Sequence, residues 1–171
     1  MDNIIFEEVK EKHLPEILDI YAFYVLNTTV TFHTHVPSME EMKEILFFDS
    51  PKYGSFVIKD KDQICGYVIL SRFSKREAYD ITAEVSIYLA PEYTGRGIGG
   101  RAIDVIEDFA RDNGIQILVA GVCGENTMSI KLFEKKGFVK CGHFKGVGKK
   151  FGRLLDLLYF QKAIHLAKLD K

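Results

Sequence analysis

The sequence predicts one α/β domain in which a mixed sheet is flanked by helices. Apolar residues recur alternately at strand spacing and at helix spacing, without a repeat or a linker. The chain has 171 residues, enough for a single domain with a buried core. Its composition, 47% hydrophobic and 27% charged, is typical of globular proteins. We therefore expect one domain over residues 1–171, with a frayed tail over 165–171.

The first half of the chain predicts a strand, two helices and three further strands. Ser38 and Glu41 have the spacing of a helix capping box, and Asp60-Lys61-Asp62 predicts a hairpin turn. In chain order the elements are a strand at Ile4–Phe6, a helix at Leu14–Val25, a helix beginning at Ser38, and strands at Ser55–Lys59, Gln63–Ser71 and Ile81–Leu89.

The second half predicts a helix, a strand, a helix and two strands. Asn113-Gly114 and Gly137 are typical helix stops, and Asn126 is a suitable helix cap. After a break over Pro91–Gly100, the elements are a helix from Ile98 to Asn113, a strand at Ile115–Val122, a helix from Asn126 to Phe133, and strands at Phe138–Phe144 and Leu154–Phe160.

Charge and cysteine content exclude several classes of function. Lysine and arginine total 23 against 24 acidic residues, so no long-range field attracts nucleic acid or a lipid surface. Neither a leader pattern at the first residues nor a membrane-spanning apolar run is present, so we expect a cytoplasmic protein with no membrane partner. Cys65, Cys123 and Cys141 lack metal-ligand spacing and predict buried free thiols, and no metal site is expected.

A glycine-rich loop stands where a strand gives way to a helix. Its residues are Thr94, Gly95, Arg96, Gly97, Ile98 and Gly99. Glycines let successive N–H groups turn toward one point, and the following helix adds its positive dipole end, so the loop predicts a diphosphate site. A flexible turn is the simpler alternative.

Two other kinds of phosphate site fit this loop poorly. The spacing of Gly95 and Gly100 resembles a P-loop, but Arg101 and Ala102 follow, so no hydroxyl is available for magnesium. A dinucleotide site of the Rossmann type needs an acidic residue at the end of the next strand, which instead ends in residues 120–123, Ala-Gly-Val-Cys.

Two ordered motifs resemble the GNAT acetyltransferases. Gly97-Ile98-Gly99 matches the end of the family's cofactor signature, although Thr94 replaces the usual Arg or Gln. Within the family, the chain resembles the phosphinothricin N-acetyltransferase group over nearly its whole length, through segments 26–32, 78–84 and 152–156. The second of the two GNAT motifs lies downstream of the glycine loop and consists of Asn126, Ser129, Ile130, Leu132, Phe133, Gly137 and Phe138.

The resemblance implies a mixed, mostly antiparallel GNAT sheet and acetyl-CoA as cosubstrate. It implies that Glu84 is the catalytic carboxylate and that Asn126 reaches the cofactor. Phe133 stands where relatives often have Tyr or His, so the motif identifies no general acid, and Tyr88, Tyr159 or water are alternatives. The residues implied to pair with the pantetheine amides are Ile87, Tyr88 and Leu89, and those implied to hold the pyrophosphate are Thr94 to Gly99.

The residues themselves give Glu84 a chemical role. Acyl transfer to an amine needs a neutral amine, and a carboxylate with a raised pKa can accept its proton directly or through water. Alternation along the predicted strand puts Glu84 on the more polar face, where an ordinary exposed carboxylate is the alternative. A backbone N–H near Val85 to Ile87 could polarise the thioester carbonyl.

The acceptor is expected to be a small amine bearing an acidic group. Arg72 and Arg76 cluster before Tyr79, and a guanidinium pairs well with a carboxylate or phosphinate. The resemblance implies that Phe32, with His33 beside it, lies near the acceptor. An amino acid or an analogue of the phosphinothricin or methionine sulfone type fits; ordinary surface charge is the alternative explanation for the arginines. A protein or peptide acetyltransferase and a catalytically silent acyl-CoA-binding module remain alternatives, and the resemblance is compatible with a homodimer.

Overall fold

The computed structural model describes residues 3–164, which form a seven-stranded sheet with four α-helices. The strands are β1 (Ile4–Glu8), β2 (Gly54–Asp60), β3 (Gln63–Arg72), β4 (Thr82–Leu89), β5 (Ile117–Cys123), β6 (Val139–Lys150) and β7 (Arg153–Ala163). The helices are α1 (Leu14–Asn27), α2 (Met39–Leu46), α3 (Ile98–Asp112) and α4 (Thr127–Lys135), with short 3-10 turns at Glu11–His13, Glu77–Tyr79 and Pro91–Tyr93. The tail expected at 165–171 lies outside the described residues.

The strand order is β1-β2-β3-β4-β5-β7-β6, and every neighbouring pair is antiparallel except β4 and β5. The predicted mixed, mostly antiparallel α/β fold is confirmed. In the part of the chain that the structure covers, no helix is long and apolar enough to cross a membrane.

Local signals in the sequence act as predicted at two positions. The Glu41 N–H donates to Ser38 Oγ at 3.2 Å, and the Ser38 N–H donates to Glu41 Oε2 at 2.7 Å, so the capping box starts α2. Asp60 pairs with Gln63 across a two-residue turn in which Lys61 has a positive φ of 57°. The hairpin between β2 and β3 is therefore formed without the favoured Asn-Gly pair.

The last hairpin is longer than the sequence predicted. β6 was expected to end at Phe144 but runs to Lys150, and β7 begins at Arg153 rather than Leu154. Register shifts between Lys140 and Gly142 and between Phe144 and Gly148 interrupt the pairing. Such irregularities break the alternation of side chains between the two faces of the sheet. The predicted strand therefore ends at Phe144, where the second register shift begins.

Helices cover both faces of the sheet. The Ser55 hydroxyl donates to the carbonyl oxygen of Leu46 in α2 at 2.6 Å, whereas the ring of the next residue, Phe56, contacts Phe109 of α3 at a centroid distance of 5.2 Å. Because consecutive strand residues point to opposite faces, α2 and α3 lie on opposite sides. Tyr88 of β4 contacts Tyr21 of α1 on one of these faces, at 5.0 Å between ring centroids.

The parallel pair β4 and β5 separates soon after it begins. Thr82, Ala83 and Glu84 pair with Ile117, Leu118 and Val119. β4 then continues to Leu89 beside β3, while β5 continues to Cys123 beside β7. The two strands diverge, and a cleft opens between their carboxyl ends.

One of the three cysteines departs from the prediction of buried thiols. Cys65 and Cys123 are buried, but Cys141 is exposed. Cys141 lies on the edge strand β6, at the register irregularity between Lys140 and Gly142.

Candidate active site

The cleft between β4 and β5 has a volume of about 510 Å³ and is walled by backbone and apolar side chains. Its lining combines the carboxyl ends of both strands, the glycine loop, α1 and α4. The residues include Phe23, Tyr24, Val30, Val85, Ser86, Ile87, Tyr88, Leu89, Thr94, Gly95, Gly97, Gly99, Gly121, Val122, Asn126, Ser129, Leu132 and Phe133.

The glycine loop leads directly into α3 at one end of the cleft. Gly95 and Gly97 have φ values of 75° and 79°, in the left-handed region that side chains with a Cβ rarely adopt. Gly97 is the N-cap of α3, whose first N–H groups have no partner within the helix. These free donors and the positive end of the helix dipole suit a diphosphate, so the loop fits the pyrophosphate of coenzyme A.

Other members of the loop have structural contacts. The Thr94 hydroxyl donates to the Pro91 carbonyl at 2.8 Å, and the Arg96 guanidinium lies over the Tyr93 ring at 4.8 Å. Ile98 is 1% exposed, so its side chain belongs to the core and its backbone alone can serve a ligand. A Cβ on Gly99 would lie 2.9 Å from Leu132 Cδ2, which shows that this glycine permits close packing of the loop on α4.

The end of β4 is tied to α1 across the cleft. Ile87, Tyr88 and Leu89 all line the cleft, and the Tyr24 hydroxyl donates to the Leu89 carbonyl at 2.5 Å. Phe23 and Tyr24 were not among the site residues predicted from sequence. The available signal was two aromatic side chains on α1 beside the regularly spaced core positions, a pattern that does not by itself indicate a ligand.

Glu84 is the last residue of β4 that pairs with β5, and it is half-buried. Burial raises the pKa of its carboxyl group, and hydrogen bonding from the Gly121 backbone partly opposes that shift. A Cβ built on Gly121 would lie 3.4 Å from Glu84 Oε1, so the carboxylate reaches the residue that lines the β5 wall. A carboxylate with a raised pKa at this position is suited to accept a proton.

Two tyrosines near Glu84 can donate a proton, whereas Phe133 cannot. Burial raises the pKa of Tyr88, and the neighbouring Tyr21 adds to the effect. Burial also raises the pKa of Tyr159, with a further contribution from the charge of Glu84. Phe133 lines the cleft but is 5% exposed and packs edge-on against Phe138 at 5.0 Å between ring centroids.

Asn126 both lines the cleft and caps α4. Its Oδ1 accepts from the Ser129 N–H at 3.1 Å, and its Nδ2 donates to Ser129 Oγ at 2.8 Å. The capping role was predicted from sequence, and it explains why an asparagine and a serine are spaced three residues apart here.

The segment after α1 is fixed to two parts of the fold. The Phe32 ring covers Gly148 of β6 so closely that a Cβ there would lie 2.6 Å from Phe32 Cε2. Thr31 O accepts from the buried Lys150 ammonium at 2.9 Å, and the Tyr21 hydroxyl lies 2.7 Å from His33 Nδ1. Phe32 is not among the described residues that line the cleft.

The remaining predicted acceptor residues also lie outside the lining of this cleft, as far as residues 3–164 define it. The Arg72 guanidinium donates to Asp80 at 3.1 Å, and Tyr79 packs edge-on against Phe73 at 5.4 Å between ring centroids. Arg76 is exposed. Within the same residues, no group of three or more His, Cys, Asp or Glu side chains could hold a metal ion.

Comparison with known proteins agrees with this fold and cleft. Residues 7–159 match the model of the acetyltransferase (GNAT) domain family. A phosphinothricin N-acetyltransferase of Streptomyces coelicolor is 29% identical over 159 residues, covering 90% of this chain and 92% of that protein. An L-methionine sulfoximine/L-methionine sulfone acetyltransferase of Pseudomonas aeruginosa is 30% identical over 151 residues, covering 86% of this chain and 87% of that protein.

A solved structure shows the same architecture with the cosubstrate bound. It is a phosphinothricin acetyltransferase from Sinorhizobium meliloti in complex with acetyl-CoA, with a TM-score of 0.88 and 29% identity, covering 98% of this chain and 92% of that one. The fold and the cleft define an acyl-CoA-dependent acyltransferase. The chain belongs to the GNAT acetyltransferase family, and it is an acetyl-CoA-dependent N-acetyltransferase.

Proposed function

We propose that this protein transfers the acetyl group of acetyl-CoA to the amino group of an amino acid or amino-acid analogue of the phosphinothricin or methionine sulfone type. The observation that carries the proposal is the half-buried carboxylate of Glu84, with a raised pKa, at the point where β4 and β5 separate. The names of the two relatives described above support this class of acceptor.

The loop from Thr94 to Gly99 is proposed to hold the pyrophosphate through its backbone. Three of its glycines line the cleft, and α3 begins there with free N–H groups. Ile87, Tyr88 and Leu89 are proposed to hold the pantetheine amides, because their strand edge faces the cleft rather than β5. Asn126 lines the opposite wall and is proposed to contact the same arm.

Glu84 is proposed to be the general base. The cosubstrate supplies an acetyl thioester, and the acceptor must present a neutral amine to attack its carbonyl carbon. The amine is protonated at neutral pH, so one proton passes from its nitrogen to the Glu84 carboxylate, directly or through water. Burial favours the uptake of that proton because it raises the pKa of Glu84.

A tyrosine is proposed to protonate the departing thiolate in place of the Tyr or His that Phe133 replaces. Tyr88 and Tyr159 both have raised pKa values, so each carries its proton at neutral pH. Tyr88 is the better candidate because it lines the cleft, whereas Tyr159 lies on β7.

Arg72 and Arg76 are proposed to attract the acidic group of the acceptor, with Phe32 and Tyr79 as apolar neighbours. Arg72 is paired with Asp80, which leaves Arg76 as the more available of the two guanidinium groups. A charge-assisted contact with a carboxylate or phosphinate is the interaction expected of such a group.

The test is a turnover screen with acetyl-CoA against L-methionine sulfone, phosphinothricin, common amino acids, polyamines and peptides. We expect L-methionine sulfone or phosphinothricin to give the highest kcat/KM. Preferred turnover of peptides would replace this proposal with a protein acetyltransferase. Acetyl-CoA binding without turnover of any amine would indicate a silent binding module.

A further inference from the structure

Gly121 is a glycine that neither the backbone nor the packing of this fold requires. It lies within β5 and is absent from the glycines with positive φ in residues 3–164. A Cβ at Gly121 would meet its nearest neighbours at 3.4 to 3.6 Å, which is ordinary van der Waals contact. Glycine within a strand weakens it, so a reason outside the fold is needed.

Two other glycines of the sheet show what a structural requirement looks like. A Cβ on Gly66 of β3 would lie 2.6 Å from the Tyr88 carbonyl oxygen, and one on Gly148 would lie 2.6 Å from the Phe32 ring. Both contacts are too short to accommodate a side chain. Gly121 has no such constraint, and it is exposed at the wall of the cleft.

The three atoms nearest to the Cβ position of Gly121 are one carboxylate oxygen and two carbons. They are Glu84 Oε1 at 3.4 Å, Leu157 Cδ1 at 3.5 Å and Tyr159 Cε1 at 3.6 Å from the place of the missing Cβ. A nitrogen near this place lies within reach of a hydrogen bond to Glu84 after a shift of a few tenths of an ångström. The two other neighbours are apolar carbons, which limit size rather than donate or accept.

We infer that the space above Gly121 is the port through which the acceptor amine meets Glu84, and that Leu157 and Tyr159 set how much bulk is tolerated beside that amine. This inference rests on the proposed role of Glu84 and extends it to specificity. The amine nitrogen approaches Oε1 from the side that a Cβ would occupy. The group on the amine-bearing carbon then contacts Leu157 and the edge of Tyr159.

The test adds one methyl group at the port. In Gly121→Ala, kcat/KM for L-methionine sulfone, whose amine-bearing carbon is branched, is expected to fall by about tenfold or more, the usual effect of one unaccommodated carbon in a site. For 3-(methylsulfonyl)propylamine, which has the same chain without the branch, the fall is expected to be smaller. Acetyl-CoA affinity, measured by calorimetry, is expected to stay within about twofold of the wild type, since the residues proposed to hold the pyrophosphate and the pantetheine arm are unchanged.

Gly142→Ala is the matched control. Gly142 lies on β6 and, like Gly121, has no positive φ. A Cβ on Gly142 would lie 3.5 Å from Tyr159 Cβ of β7. Both variants are expected to fold with an unchanged or raised Tm, because alanine restricts the unfolded chain. The control is expected to retain wild-type kcat/KM for both amines.

A second variant tests the wall. Leu157→Ala added to Gly121→Ala removes the nearest apolar carbon, and we expect most of the lost kcat/KM for L-methionine sulfone to return. Equal losses on both amines, a parallel fall in acetyl-CoA affinity, or the same loss in Gly142→Ala would each overturn the port. Failure of the wild type to acetylate either amine would instead overturn the proposed function, and the port with it.

Discussion

The two halves of β4 differ in their strand partners. The paired half, residues 82–84, pairs with β5, and Ala83 and Glu84 pair with β3 as well. The open half, residues 85–89, pairs with β3 and not with β5. Backbone N–H and C=O groups on the open edge need another partner, which a ligand with amide groups can supply. The cleft is therefore produced by a missing pairing, and Glu84 stands at the boundary between the halves.

Replacing the boundary carboxylate is expected to have the largest effect. Glu84→Gln keeps the size of the side chain but removes the proposed base, so kcat should fall by about 10² to 10⁴ fold. Acetyl-CoA affinity should hardly change, because the open half of β4 and the glycine loop are intact. Steady-state kinetics and calorimetry measure the two quantities, and near-wild-type turnover at pH 7 would contradict the role of Glu84.

The pH dependence of turnover in Glu84→Gln is a second test of Glu84 as the general base. The wild-type rate should fall as the pH drops through the raised pKa of Glu84, and this limb should be missing in Glu84→Gln. Glu84 should affect folding stability with the opposite pH dependence, lowering it as the pH rises. Because the folded pKa lies above the unfolded value, ionised Glu84 costs the fold stability as pH rises through that interval, so the Tm advantage of Glu84→Gln should be larger at pH 7 than at pH 4.

The glycine loop at the far end of the open half is expected to show the next largest effect. Gly97→Val adds a β-branched side chain where φ is 79°, so it should cost about 1 to 3 kcal/mol of stability and block close approach of the diphosphate. Gly114→Val is the matched control, because φ there is 78° and no atom lies within 4 Å of its Cβ position.

Both loop variants should lose similar stability in thermal unfolding. Gly97→Val alone is expected to lose acetyl-CoA affinity, by about tenfold or more, which corresponds to about 1.4 kcal/mol. Equal affinities for acetyl-CoA in the two variants would show that the loop does not hold the diphosphate.

A smaller effect is expected where α1 supports the open half. Tyr24→Phe removes the hydrogen bond to the Leu89 carbonyl and should cost about 0.5 to 1.5 kcal/mol of unfolding free energy. It should also weaken acetyl-CoA binding several-fold, since the end of β4 is less well fixed. Tyr53→Phe, whose hydroxyl contacts Arg72 at 3.4 Å near the paired half, should leave that affinity unchanged.

The features that could be predicted from sequence depend on local physical rules. The order of strands and helices, the capping box at Ser38 and the glycine loop before α3 all follow from spacing and from residues with special backbone preferences. The proposed cofactor end of the cleft can be predicted in the same way, because a phosphate site at a helix N-terminus is built from consecutive residues.

The proposed acceptor side depends on contacts between residues far apart in the chain. Gly121 meets Glu84, Leu157 and Tyr159 because β5 lies between β4 and β7, and no short segment contains that neighbourhood. Tyr24 reaches Leu89 across 65 positions for the same reason. The pairing of Arg72 with Asp80 was also not evident from a run of basic residues, which by itself suggested two equivalent cations.

The smallest effect is expected at the arginines, which lie by the paired half of β4. If Arg76 attracts the acidic group of the acceptor, Arg76→Ala should raise KM for L-methionine sulfone by about two- to fivefold, because exposed ion pairs are weak. The KM for its methyl ester should stay the same, since the ester lacks the charge. Arg72→Ala should have less effect because Asp80 already pairs with that guanidinium. Lys75→Ala, which removes an adjacent exposed cation, controls for the general field of this segment. Equal changes in KM for the acid and its ester in Arg76→Ala would assign the arginines to the ordinary charged surface. The acceptor would then be bound by the port at Gly121 without them.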